Sequence, residues 1–547
     1  MNDRLRQDER PSQTRHRPST FAFGLSSSMN LQPARLRTVV ALLCAFGLRV
    51  AAQAWQSDQG DGTYRNPVLY ADYPDPDIIR VGEDYYFATT TFVDVPGVLI
   101  LHSKDLVNWE LACHVVPRLE GSERYDMIGG VAYRHGLFAT SLRYHSGTFY
   151  AVVTPVGQHT RIYSTTDLRN PWHCSELDRA AFDPGFFIDS DGTGYIATSV
   201  GSDGHIKLLT LDSYYHRVIA AQEIDYIKGA EGSHLIKRGG WYYLFNAIPR
   251  RMALTVSRAR QLTGPWETTS QLDDRSGGHQ GALVDLPDGR WFGFVMVDAG
   301  AIGRMTNLSP VFWRDDWPVW GTPAAPGRVP RIARKPIQGQ PIRQPATSDD
   351  FQSPELGLQW QWNHNPDNSR WSLTEHPGYL RLKPTQAAEF WTARNTLTQK
   401  GQGPWSRGEL TFNLSGLKPG DTCGFGTLGK FCGHIAVHCG PDGSRFLSME
   451  VIEDTQEGRK TETRVAREPL LAKTVTLRTD LDFESRTGLC AYRTDGGPWQ
   501  TLGGTFPLAF DWRTGTFQGE KFAMFCLNSG RSDGHVDVGP FKFYDQP

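Results

Sequence analysis

Short runs of alternating apolar and polar positions fill most of the chain, and they return at a near-constant interval. Five times between residues 64 and 321 a polar turn leads into a β-type run with large apolar and aromatic residues. The copies are 82–89 (Gly-Glu-Asp-Tyr-Tyr-Phe-Ala-Thr), 146–153 (Ser-Gly-Thr-Phe-Tyr-Ala-Val-Val), 191–198 (Asp-Gly-Thr-Gly-Tyr-Ile-Ala-Thr), 239–245 (Gly-Gly-Trp-Tyr-Tyr-Leu-Phe) and 288–294 (Asp-Gly-Arg-Trp-Phe-Gly-Phe). Gly-containing pairs between such runs are hairpin signals. The copies lie roughly 45 to 65 residues apart, the length of a four-stranded blade, so the pattern predicts a five-bladed β-propeller over 55–321. A second repeat, at 103–109, 164–172 and, degenerate, 257–266, ends each time in a Trp that anchors the next blade.

The pattern then changes. Residues 322–348 are rich in Pro, Arg, Gln and Ala and poor in large apolar side chains, which predicts an extended linker laid along the surface. From 349 to 547 alternating runs such as 378–383, 408–413 and 474–478 continue without the blade repeat, and a β-sandwich is the economical reading. The fold class is therefore all-β.

Composition narrows the picture. With 57 Lys+Arg against 59 Asp+Glu in 547 residues, the chain has no polyanion-binding balance, and nucleic acid is not an expected partner. Arg35 and Arg37 precede the apolar run 38–48, which is followed by Ala52-Gln-Ala54. This describes a secretory leader over 1–54, cleaved after Ala54, with Met29 as an alternative start. The run is too short to span a bilayer. A secreted or periplasmic protein with no membrane attachment after cleavage is expected. Of the eight Cys, Cys44 leaves with the leader, so the remaining number is odd. Cys423, Cys432 and Cys439 lack the C-x-x-C spacing of a zinc site; one disulfide in the C-terminal half is expected, its connectivity unread.

Three carboxylates stand at the same phase of the blade repeat, just before the first strand of a blade: Asp75 in Pro74-Asp-Pro76, Asp183 before Pro184, and Glu231 between Ala230 and Gly232. Each alone reads as a turn or loop residue. Together they converge on one end of the propeller axis, where glycosidic bond cleavage needs an acid and an opposing carboxylate. The prolines around Asp75 predict an extended backbone.

Asn66-Pro-Val-Leu, Pro74-Asp-Pro-Asp-Ile-Ile-Arg, His102-Ser-Lys-Asp-Leu-Val-Asn-Trp, Glu231-Gly-Ser-His-Leu and Gly303-Arg-Met-Thr-Asn-Leu, in this order, resemble glycoside hydrolase family 43, the β-xylosidase and α-L-arabinofuranosidase family. The stretch from Leu358 to Leu373 resembles the jelly-roll, concanavalin-like sandwich appended in its xylosidase-type members. The resemblance implies an exo-acting, inverting hydrolase that releases a terminal β-D-xylose or α-L-arabinofuranose from xylan, arabinoxylan or arabinan chains. It implies Asp75 as general base, Glu231 as general acid and Asp183 as the group that orients the acid and, if negatively charged, raises its pKa. It implies substrate contacts from Arg304, Phe92, Phe138 and His279. No cofactor is required for the chemistry, and a structural, mostly water-coordinated calcium in the channel near His279 is the one ion it suggests. The chain departs from the family pattern in two places: 138–140 read Phe-Ala-Thr where Trp-Ala-Pro is usual, and Gly185 stands where Ser is common. A non-catalytic glycan-binding propeller is the alternative reading.

Overall fold

The computed structural model describes residues 54–272, 278–514 and 516–547. The leader, apart from Ala54, lies outside them. Five antiparallel sheets follow one another in chain order. Their innermost strands are Asp77–Val81, Ser141–His145, Phe182–Ile188, Glu231–Arg238 and His279–Asp285, opening blades I to V. Each packs against the innermost strands of its two neighbours, closing a ring around a central channel. Between blades the outer layers are apolar: Phe87, Trp109 and Phe294 fill the seam of blades I and V, so Trp109, expected to anchor the next blade, packs against the preceding one in the ring.

Closure uses the segment expected to be a linker. Ala325–Pro326 adds a fifth strand to blade V, and Ile332–Arg334 pairs with Thr63–Arg65. Lys335, buried, ion-pairs with Asp58 and with Asp105 at 3.0 Å, locking the segment onto blade I. The Pro-rich composition hid these pairings because their partners lie up to 277 residues away in sequence, as in Lys335 with Asp58.

The remaining strands form two sheets of a sandwich around one apolar core. Trp405–Asn413 shows the reason for its strand in its strict alternation of buried and half-buried residues. One sandwich sheet ends on a strand of the propeller, Asp94–Val95, paired with Gln361–Asn363. A single apolar cluster runs from Val93, Leu119 and Tyr133 to Phe390, Trp391 and Phe525, so sandwich and propeller share a core. The expected disulfide is not formed: Cys113, Cys174, Cys423, Cys432, Cys439, Cys490 and Cys526 are free thiols. Strand register sets Cys423 opposite Val437 on one side and Cys526 on the other, with both thiols free. Among the described residues no helix is long and apolar enough to cross a membrane.

Candidate active site

The carboxylates reach the channel mouth through local backbone irregularities. Asp75 and Asp183 have φ of 55° and 44°. For Asp75 this overturns the extended backbone expected from its prolines; such left-handed geometry at a non-glycine residue costs about 1–3 kcal/mol and must be held by surrounding structure. The pairing register of the innermost strand slips at Phe182/Gly185, Glu231/His234 and His279/Gly281, a bulge at the same place in blades III, IV and V. Bulges re-aim side chains. Gly185 is explained here: a Cβ at this position would lie 1.9 Å from the Ser233 carbonyl oxygen.

Asp75 is buried, and its Oδ1 accepts from Arg304 Nη1 at 3.2 Å. Its N–H donates to Met296 Sδ at 3.2 Å. Arg304 is also buried, and its Nε and Nη2 have no hydrogen-bond partner among the described residues. Buried unpaired donors are costly, which makes them ready for a ligand oxygen. Glu231 Oε2 accepts from Ser202 Oγ at 2.6 Å. Burial raises the Glu231 carboxyl above its ordinary value; the Ser202 hydrogen bond opposes this, the Asp75 charge adds to it and Arg304 opposes it. Asp183 is raised well above the carboxylate range, by burial first, then by the charges of Glu231 and Asp75. Burial therefore disfavours the negative Asp183 expected from the sequence, and the charge acting on Glu231 is that of Asp75. All four groups thus form one electrostatic unit.

Phe92 and Phe138, both expected to contact substrate, meet edge-on at 5.0 Å. Sequence reasoning missed the third member. Phe517 comes from the sandwich, lies 5.2 Å from Phe92 and 6.0 Å from Phe138, and receives the Arg304 guanidinium at 4.5 Å over its ring. Its loop is pinned to the propeller at several points. Gly519 N–H donates to Asp72 Oδ2 at 3.0 Å, while the other oxygen of Asp72 accepts from the main-chain N–H of Arg304 at 2.8 Å. Gln518 donates to Thr91 O and Asp94, and Lys521 ion-pairs with Asp94 at 2.7 Å. Gly303 is required here, since a Cβ on it would meet Asp72 Oδ1 at 2.4 Å. No signal in the sequence links residues 72 and 519.

His279 is buried, its Nδ1 lies 3.4 Å from the Met296 carbonyl, and burial lowers its pKa, so it is a neutral imidazole. A calcium in this region would have to be held mostly by water. Calcium takes six to eight oxygens, whereas among the described residues no three His, Cys, Asp or Glu side chains are placed to hold a metal ion. The channel cavity beside the carboxylates has about 20 Å³, room for about one water, and the carboxylate of Asp77 that faces it is paired with Arg143.

Residues 64–318 match the model of glycosyl hydrolases family 43, and 348–544 match that of the beta xylosidase C-terminal concanavalin A-like domain. A beta-xylosidase of Formosa agariphila is 31% identical over 90% of this chain and 92% of its own. A non-reducing end alpha-L-arabinofuranosidase of Bacteroides ovatus is 33% identical over 64% of this chain and 70% of its own. Among solved structures, a bifunctional GH43-CE protein of Bacteroides eggerthii superimposes with a TM-score of 0.80 at 34% identity, over 88% of this chain and 64% of that one. An engineered GH43 glycoside hydrolase with endo-xylanase and exo-arabinofuranosidase activity superimposes with a TM-score of 0.81 at 28% identity, over 88% and 99% of the two chains.

Proposed function

Because the chain belongs to glycosyl hydrolases family 43, we propose that this glycosidase is an exo-acting, inverting hydrolase that removes a terminal pentose, β-D-xylose or α-L-arabinofuranose, from xylan-, arabinoxylan- or arabinan-type chains. The observation that carries the proposal is the assembly of Asp75, Asp183 and Glu231, from three blades, around one arginine with two unused donors. In the proposed reaction Glu231, kept protonated by burial, gives its proton to the glycosidic oxygen. Asp75, ion-paired with Arg304, takes a proton from a water that attacks the anomeric carbon from the opposite face. Nε and Nη2 of Arg304 donate to sugar hydroxyl oxygens, and Phe138 and Phe517, with Phe92 buried behind them, pack against the terminal sugar. The names of the relatives support both pentoses. The leader supports a location outside the cytoplasm. A non-catalytic glycan binder has no use for a buried carboxyl set beside an arginine-paired one.

The test is turnover of nitrophenyl β-D-xylopyranoside and α-L-arabinofuranoside. Glu231→Gln is expected to lose roughly 100-fold or more on a xylo- or arabino-oligosaccharide, whose sugar leaving group needs the proton, and less on the nitrophenyl glycosides, whose leaving group needs little acid help. The first-formed sugar, seen by NMR, is expected to have the opposite anomeric configuration to the substrate. Retention of configuration, or full activity of Glu231→Gln, overturns the assignment.

A further inference from the structure

Blade II supplies none of the three carboxylates, yet its innermost strand carries the side chains that tie their strands together. Ser141 Oγ donates to Asp77 Oδ2 at 2.9 Å and accepts from the Phe186 N–H at 3.0 Å. Leu142 N–H donates to the same Asp77 oxygen at 2.9 Å. Arg143 donates from Nη1 to Asp77 Oδ2 at 2.7 Å and from Nη2 to His234 Nε2 at 3.1 Å. His234 can accept because burial pushes its pKa down to about 4, leaving the imidazole neutral. Asp77 follows Asp75 by two residues, and Phe186 and His234 follow Asp183 and Glu231 by three. Every carboxylate strand is therefore bonded, within one turn of its functional residue, to the same short stretch of blade II. Asp77 and His234 are buried, and the side chain of Arg143 is 13% exposed, so the contacts are shielded from water.

We propose that Ser141 and Arg143 are the positioning residues of the catalytic set, and that the Arg143 guanidinium serves as the fixed cation of the channel, so that the enzyme needs no metal ion. This rests on the reading of Asp75, Asp183 and Glu231 as that set. A guanidinium suits the place: its planar fork bridges a carboxylate and an imidazole at once, and it stays charged at any working pH. A lysine ammonium, a compact point charge, does not reproduce that fork.

The test has two arms. Purified enzyme is analysed for metal by mass spectrometry and assayed before and after EDTA dialysis; no stoichiometric metal and unchanged turnover are expected, and a bound calcium whose removal abolishes activity overturns the proposal. In the second arm Arg143→Ala is expected to lose about 100-fold in kcat, the scale of a 1 Å misplacement of reacting groups, with KM within about threefold of the native enzyme. Millimolar guanidinium is expected to restore kcat at least tenfold, and Arg143→Lys to fall in between. A kcat of Arg143→Ala within threefold of the native value, or loss without guanidinium rescue, overturns the proposal. Should Arg143→Ala fail to fold, Ser141→Ala, which removes two hydrogen bonds and no charge, is expected to lower kcat about tenfold; unchanged kcat there overturns it. Asp75→Asn and Glu231→Gln separate the two readings: if both turn over normally the catalytic assignment falls, and if both are dead while Arg143→Ala matches the native enzyme only the hub falls.

Discussion

Replacing Phe517 by Ala removes the one aromatic that the sandwich inserts into the propeller's site. Its ring touches Phe92 and Phe138, stacks 6.0 Å from Phe510, and lies under Arg304. Phe517 is half-buried in the free enzyme. Complete burial of a Phe side chain contributes about 1.5–3 kcal/mol, so the buried half accounts for about 1 kcal/mol of stability, with about 1 kcal/mol more from the ring and cation–π contacts. The exposed half is what a bound sugar covers, and losing it costs about 1–1.5 kcal/mol of binding, close to tenfold in kcat/KM. The assay is initial-rate kinetics on the nitrophenyl pentoside that the native enzyme prefers, with melting temperature measured in parallel. The loss should appear mainly in KM, and Phe517→Leu should recover part of it. If Phe517→Ala lowers the melting temperature but leaves kcat/KM within twofold, the residue only glues the domains and the reasoning is wrong.

Two further outcomes follow from the same geometry. The Ser202 hydrogen bond favours the ionised form of Glu231; without it the acid keeps its proton to higher pH, so the alkaline limb of kcat/KM in Ser202→Ala is expected to move upward, and a limb that stays or falls contradicts the contact. Asp72→Ala leaves the N–H groups of Arg304 and Gly519 buried without acceptors, at about 1–3 kcal/mol each. A stability loss of about 3 kcal/mol in urea unfolding is expected, with a smaller loss for Asp72→Asn, and a variant as stable as the native protein rules out the pin.

Local pattern determined a good deal of this protein. The aromatic runs and their Gly turns sufficed for five blades because hairpin pairing is between neighbours in the chain, and the phase of Asp75, Asp183 and Glu231 against those runs sufficed to bring them to one end of a ring. The alternating segments at 408–413 and 474–478 likewise form strands that pair with each other. What local pattern does not carry is contact between distant segments and the burial it creates. The left-handed Asp75 between two prolines is held by Arg304 and Met296, more than 200 residues away. The Pro-rich stretch becomes a strand only when Thr63–Arg65 lies beside it. Phe517 enters the site because Asp72 and Asp94 accept hydrogen bonds from its loop, and the protonation of Asp183 and Glu231 depends on how deeply the closed propeller removes them from water. Residue types and their spacing thus decided which groups meet; packing alone decided their backbone geometry, their neighbours from the second domain and their charge, since each of these depends on desolvation and on partners that adjacent residues do not specify.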